Sequence, residues 1–375
     1  MSHLYIHIPF CRQACHYCDF HFSTTLHSRG EMVKAIAKEI SLRKDELDEK
    51  KLSTIYFGGG TPSLIGADEL KRIFEAIAKH FSIDENAEIT LEANPDDLSK
   101  EFLAGLRTTP VNRLSIGIQS FREEDLRMMN RAHNAAQAES SLRMARDAGF
   151  GNITADLIYG IPGMSDEEWR KNISHLLSFA VPHISAYCLT VEPKTALAHF
   201  VREGKAKPVD EEEAASHFQV LAEETAAAGF MQYEISNFAR PGFIARHNSS
   251  YWFGEEYLGV GPSAHSFRGK VRRKNVSSNP LYLQSLAQNK TAFEEETLSS
   301  DARFNEFVMT RLRTMWGIPL EEVRTVFGET YYKNLISASR KWISEGKMTG
   351  ENGTLVLTHG GKLLADSIAS DFFMV

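Results

Sequence analysis

The chain is 375 residues long and carries 42 Lys and Arg against 49 Asp and Glu, a formal net charge of −7. That balance argues against nonspecific nucleic-acid binding as its main role. A content of 42% hydrophobic and 24% charged residues suits a globular chain with one large domain and a small one. No apolar run reaches the roughly 20 residues of a membrane span. The opening MSHLYIHIPF lacks a basic start, a long apolar stretch and a small-residue cleavage site, so a reduced, cytoplasmic setting is expected.

The first predicted strand, Leu4–Ile8, runs into the loop CRQACHYC, which holds Cys11, Cys15 and Cys18. Cysteine occurs only four times in the chain, and three of the four share this loop, so chance clustering explains it poorly. A C-x3-C-x2-C loop is too short to staple a fold. Three thiolates can wrap one inorganic cluster, and a four-iron cubane held by three leaves one iron without a protein partner. Zinc is the rival, with His7, His16 or His21 as a fourth ligand. Structural zinc sites more often use two separated ligand pairs, and no second pair follows. The remaining Cys188, in HISAYCLTV, reads as a buried strand residue and not a ligand.

Five further strands are predicted at Thr54–Phe57, Glu88–Leu91, Arg113–Ile118, Asn152–Ile158 and His183–Leu189. Each has the β-branched and aromatic content of a buried strand. Helical stripes lie between them: Val33, Ile36, Ala37 and Ile40; Leu70, Ile73, Phe74 and Ile77; Trp169, Ile173, Leu176 and Leu177. Sixfold strand–helix alternation implies an α/β protein with a parallel sheet and right-handed crossovers. An open doubly wound sheet and an incomplete barrel both fit that alternation.

The positions after the strands favour the partial barrel, a (β/α)6 arrangement. The cysteine loop follows strand one, and Gly58-Gly59-Gly60-Thr61-Pro62 follows strand two. Glu92 ends strand three, Gln119 ends strand four, Asp156 lies in strand five and Thr190 closes strand six. Barrel enzymes build their sites on the carboxyl ends of strands, and one site drawing on six ends needs those strands to curve around it. Gly59 and Gly60 would let backbone approach a ligand that a Cβ would block; an ordinary tight turn is the plainer account. Glu92 has the chemistry to hold ribose hydroxyls or to make a surface salt bridge. Asp156, in the apolar run ITADLIYG, needs a partner, either a ligand or a base such as Arg131.

Beyond strand six, residues 211–229 read as helix and Tyr233-Glu234-Ile235-Ser236 as an additional strand. The Gly- and aromatic-rich stretch from His247 to Phe267 reads as an ordered loop region. From about Thr297 the pattern changes to helices and a terminal hairpin turning at Asn352-Gly353. Two domains are expected: residues 1–296 as barrel with extension, and residues 297–375 as a small α+β unit resembling a winged helix. Residues 301–375 carry nine Lys/Arg and nine Asp/Glu, which favours packing or substrate covering over DNA binding.

The YIHIPFC opening, the CxxxCxxC loop and the C-terminal unit together resemble the radical S-adenosylmethionine (SAM) proteins. The resemblance runs over nearly the whole chain. It is nearest to the branch that holds oxygen-independent coproporphyrinogen III oxidases and haem chaperones. It implies a [4Fe-4S] cluster on Cys11, Cys15 and Cys18, with SAM chelating the open iron. The reduced cluster would cleave SAM to a 5′-deoxyadenosyl radical, a step that needs the low end of cluster potentials. Tyr5 and Tyr17 would contact that SAM, Gly59 its methionine part and Glu92 its ribose. Gly60, Thr61, Gln119, Arg131, Asp156 and Thr190 resemble the second-SAM positions of the oxidases; they bind SAM or line the cavity, and for Gln119 and Arg131 structural hydrogen bonding is a serious alternative.

Three features favour the chaperone side of the branch. The first strand starts at Leu4, without the oxidases' N-terminal extension. Phe20 stands where the oxidase pattern has a further cysteine. His247-Asn248-Ser249-Ser250-Tyr251-Trp252 matches the HNxxYW signature of the chaperones. A histidine among aromatic rings can ligate haem iron, which makes His247 a candidate haem contact, although such a histidine is more often structural. The expected activity is binding haem and passing it to haem-dependent respiratory proteins. The alternative is oxidative decarboxylation of the propionates of coproporphyrinogen III. No integral membrane segment is expected, and a homodimer is allowed.

Overall fold

The computed structural model describes residues 2–374. Six parallel strands form its centre: β1 (Ser2–Ile8), β2 (Lys51–Gly59), β3 (Ser82–Ala93), β4 (Arg113–Gln119), β5 (Asn152–Tyr159) and β6 (His183–Cys188). The crossovers are α1 (Arg29–Leu42), α2 (Ala67–Ala78), α3 (Lys100–Leu106), the pair α4 (Glu123–Met128) and α5 (Ala135–Asp147), and α6 (Asp166–Ser178). Helix starts follow local chemistry. Asn134 and Ser165 each accept from the N3 backbone, while Gln137 and Glu168 return the bond to the cap.

The strands lie in the order β1-β2-β3-β4-β5-β6, each beside its successor. A doubly wound sheet reverses its strand order at a switch point. A sheet that always advances one way, with right-handed crossovers, carries its helices on one face. The other face is then free to curve round a site, as in a barrel. Among the described residues the sheet is not closed by pairing β6 to β1. Its flanks are covered instead, so neither outer parallel strand is a bare edge.

Beyond β6 come α7 (Ala196–Arg202), α8 (Glu211–Ala227), and the strands β7 (Met231–Glu234) and β8 (Asn237–Ala239); β8 pairs antiparallel with β6. Helix α9 (Arg246–Trp252) then leads to β9 (Tyr257–Val260), which joins β1 in parallel at the opposite flank. Strands β10 (His265–Arg268) and β11 (Val271–Asn275), helix α10 (Asn279–Ala287) and strand β12 (Phe293–Thr297) complete that side. The stretch from His247 to Phe267, expected as loop, thus holds most of a helix, all of β9 and most of β10.

The two faces of the central sheet differ in chemistry. Leu4, Ile6, Ile55, Phe57, Leu91, Leu114, Ile116, Leu157 and Ile184 are fully buried in the main core. The alternate positions are polar and bond across strands on the concave face. His3 meets Thr54, Tyr56 meets Glu92, Arg113 meets Thr154, and Ser115 meets Asp156.

A second core, running from Phe304 to Phe372, builds the C-terminal unit. Its elements are α11 (Ser300–Leu312), β13 (Ile318–Pro319), α12 (Leu320–Phe327), α13 (Glu329–Ser344), β14 (Met348–Glu351) and β15 (Thr354–Leu357), in a sheet ordered β13-β15-β14. The predicted hairpin is present. Asn352 and Gly353 take φ 52° and 75°, the two left-handed positions of a tight two-residue turn. Two short helices that the sequence did not reveal follow it, α14 (His359–Lys362) and α15 (Ala365–Ser370).

Candidate cofactor site and adjoining cavity

The cysteine loop leaves β1 at the carboxyl end of the sheet and is tied down on three sides. The Cys11 N–H donates to Ser23 O at 3.0 Å, and the His16 N–H donates to Met129 O at 3.0 Å. The Asn130 side chain donates to Ala14 O at 2.7 Å, and the Arg12 Nε donates to Asp97 at 2.8 Å. The segments after β3, with Asp97, and after α4, with Met129 and Asn130, therefore hold the loop in place. All three cysteines are free and half-buried. Burial pushes the Cys11 and Cys18 thiols up to about 11, so each stays protonated at neutral pH unless a positive charge ionises it.

Two donors point at the sulfurs. The Thr61 hydroxyl reaches Cys11 Sγ at 3.4 Å and Arg131 Nη1 reaches Cys15 Sγ at 3.3 Å. Arg131 also donates to Asn94 Oδ1 at 2.7 Å and Gly117 O at 3.0 Å, and its Nη1 lies 3.5 Å from the Tyr17 hydroxyl. Its Nε is buried without a partner among the described residues. Of the three histidines considered as a fourth zinc ligand, His7 is held at both ring nitrogens, and His16 and His21 at one each. His7 uses Nδ1 with the Tyr5 hydroxyl and Nε2 with His21 O, His16 donates from Nδ1 to Met128 O, and His21 uses Nε2 with Asn279. Among the described residues no group of three or more His, Cys, Asp or Glu is placed to hold a single metal ion. Three free thiols with a buried guanidinium and a hydroxyl aimed at them fit an anionic iron–sulfur cluster, whose sulfurs take such hydrogen bonds.

The glycine run packs against this loop. Gly59 sits at φ +111°, and a Cβ there would fall 2.6 Å from the His7 ring. A Cβ on Gly60 would fall 2.5 Å from Phe10 O. The run is thus required by close packing as well as by any ligand. Thr61 is buried beneath it and accepts from Asn94.

Two buried carboxyls face the concave side. Burial pushes Glu92 up to about 7, although it accepts from the Tyr56 hydroxyl at 2.7 Å and from the Gly59 N–H. Burial, with the neighbouring Glu92 charge, pushes Asp156 up to about 8. Of the two partners considered for Asp156, a ligand or a base such as Arg131, the base makes no hydrogen bond to it among the described residues. Asp156 takes only long bonds from the Ser115 hydroxyl, at 3.3 and 3.4 Å, because Arg131 is committed to Cys15 and Asn94. Gln119 closes β4 with φ 65°, a strained value for a non-glycine residue. Its Nε2 and Arg131 Nη2 both crowd Gly117. Tyr5 stacks on Tyr56 with ring centres 6.2 Å apart. Thr190 lies exposed two residues past β6.

His247 is fully buried. Its Nδ1 lies 2.5 Å from the Thr54 hydroxyl and its Nε2 lies 2.8 Å from the Tyr251 hydroxyl. Tyr56 stacks on its ring at 5.0 Å. Its backbone N–H donates to Glu88 at 2.9 Å. Both ring nitrogens are hydrogen-bonded within the protein, as the structural reading of this histidine requires. His247 joins a hydrogen-bonded chain from Tyr251 through Thr54 to His3, which pairs with Glu255 at 2.6 Å. Cys188 ends β6 half-buried, beside Gly160 and away from the other cysteines.

A cavity of about 890 Å³ opens beside the site. Its walls come from the cysteine loop (Asp19, Phe20, His21), from Tyr251–Tyr257, from β10 and β11, and from α11 and α12 of the C-terminal unit. Phe20, Phe267, Phe307 and Phe327 all line it. Arg303 also lines the cavity; its contact is with the Phe327 ring at 5.9 Å, and it makes no ion pair among the described residues. The sequence missed this cavity because its walls lie some 300 positions apart along the chain. The aromatic run YWF at 251–253 was the one visible sign.

Comparison with known proteins places these features. The Radical SAM superfamily matches residues 5–176. The protein named heme chaperone HemW from Mycobacterium tuberculosis is 35% identical over 372 residues, 97% of this chain and 93% of that protein. Proteins of the same name are 32% identical in Lactococcus lactis, over 99% of this chain and 97% of theirs, and in Bacillus subtilis, over 99% of each. The solved structure of coproporphyrinogen III oxidase (HemN) from Escherichia coli covers all of this chain and 90% of its own, at TM-score 0.86 and 22% identity, and so shares the fold. The chain belongs to the radical SAM superfamily and, within it, to the family of the heme chaperone HemW proteins. That membership implies a [4Fe-4S] cluster and SAM.

Proposed function

We propose that this protein is a haem chaperone, which binds haem and hands it to haem-dependent respiratory proteins. The observation that carries the reading is the cavity. Its 890 Å³ lie within the roughly 300–1,000 Å³ of sites that take cofactor-sized molecules. Aromatic walls suit a flat macrocycle, and the Arg303 guanidinium suits a propionate. The full-length similarity to HemW proteins supports it.

Cys11, Cys15 and Cys18 would hold the cluster. A reduced [4Fe-4S] cluster bound there would supply the electron for reductive cleavage of SAM. The chain's own groups prepare that place. Arg131 and Thr61 donate to the cluster-facing sulfurs and temper their charge. Gly59 and Gly60 keep the floor low enough for backbone contact. Glu92, with Tyr5 and Tyr17 nearby, would take the hydroxyl and amino groups of SAM. Gln119 and Asp156 would line the further part of that face, with Thr190 exposed beyond β6 at its rim.

The test is a pair of anaerobic measurements on one reconstituted preparation. Haem titration should give saturable binding at one haem per chain, and coproporphyrinogen III should remain unconverted. Turnover to protoporphyrinogen IX would instead make the protein the decarboxylating enzyme.

A further inference from the structure

Three histidines line the cavity, and two already spend ring nitrogens on the protein. His7 is held at both, and His21 is held at Nε2 by Asn279. His265 is exposed and makes no side-chain hydrogen bond among the described residues. Its direction is set by strand geometry. His265 and Phe267 stand two apart on β10, and both face the cavity. Ser266 between them turns inward and accepts from Arg43 at 2.9 Å. The ladder places Lys274 opposite His265 and Arg272 opposite Phe267.

We infer that His265 supplies the imidazole that binds haem iron, and that His247 positions the cavity wall through Tyr251 and, by way of Thr54 and His3, through Glu255. The inference rests on the haem-chaperone reading and names the ligand within it. A neutral imidazole gives a nitrogen lone pair to iron, and no proton or electron is exchanged in that step. The cavity walls strip part of the water from the His265 ring, and with Lys274 and Arg272 nearby they lower its pKa, so the ring is kept in its neutral form. Phe267 on the same face is placed to pack on the macrocycle. His247 fits a positioning role because its Nε2 fixes the Tyr251 hydroxyl, and Tyr251 is part of the wall.

The experiment loads the full-length protein with ferric haem and records absorption and electron paramagnetic resonance spectra. His265→Ala should leave folding intact, since the side chain is exposed and unbonded; far-UV circular dichroism checks this. The wild-type protein and His21→Ala should show imidazole-ligated haem. His265→Ala should lose that signature and regain it when free imidazole is added. An unchanged spectrum in His265→Ala overturns the ligand assignment and leaves the chaperone reading standing. A wild-type protein that takes up no haem overturns both.

Discussion

A carboxyl enclosed by protein holds its proton to higher pH, and at Asp156 this makes stability depend on pH. Its pKa stands near 8 in the fold, against an ordinary 3.8. Between those values the folded state binds more protons than the unfolded one, so this residue's contribution is complete below about pH 4 and falls away as pH rises towards about 8. Asp156→Asn removes the titration. The melting-temperature difference between Asp156→Asn and the wild type should therefore grow in favour of the variant from about pH 4 to about pH 8, then level off; a constant difference would refute the assignment. Cys15→Ala should remove most iron and sulfide from anaerobically reconstituted protein while circular dichroism stays unchanged. Iron retained at the wild-type level would exclude Cys15 as a ligand. Arg131→Met strips the donor from Asn94 and Gly117, and should cost about 1.5–3 kcal/mol in urea unfolding. The cysteine triad was legible in the sequence because three rare residues share one loop. The commitment of Arg131 to Cys15 was not, since 116 positions separate them and nothing local to either residue records their meeting.

At the scale of elements, the flank β9–β11 depends on one buried cation. Arg43, at the end of α1, is 2% exposed. It donates to Glu39 at 2.9 Å, to Gly259 O at 2.7 Å and to Ser266 at 2.9 Å. Glu39 in turn accepts from the Gly261 N–H at 2.8 Å and from Asn275 at 2.7 Å. Arg43→Met would leave that carboxylate buried and uncompensated, at a cost of about 3–5 kcal/mol measured by denaturant unfolding. A loss below about 1 kcal/mol would mean that solvent already reaches the network. This flank is also where sequence reading failed. Gly259 and Gly261 read as loop glycines. A Cβ on Gly259 would in fact fall 1.8 Å from His265 O, so the residue marks a tight strand contact. The partner of β9 is β1, about 250 positions earlier, beyond the reach of any local pattern. The six central strands were legible because their β-branched and aromatic content is a local signal.

On the scale of the whole molecule, the C-terminal unit forms part of the cavity wall. Arg313 pairs with the buried Glu234 at 3.0 Å, and the Trp316 ring packs on Phe253 at 4.9 Å. A ligand in the cavity touches both units, so haem should slow amide exchange in β10 and in α11–α12 together, read by hydrogen–deuterium exchange mass spectrometry. Protection confined to the parallel strands would place haem elsewhere. The hairpin turn at Asn352-Gly353 was expected from the sequence; the cavity was not, because each wall reads as an ordinary amphipathic face.

The concave surface of the parallel strands carries one more implication. Along each strand, the parity of a position decides its task. One parity supplies the oil under the helices and so the cohesion of the fold. The other supplies charge, hydroxyl and imidazole to whatever is bound. The second set can therefore change without loosening the first, so the same scaffold can be fitted to different ligands.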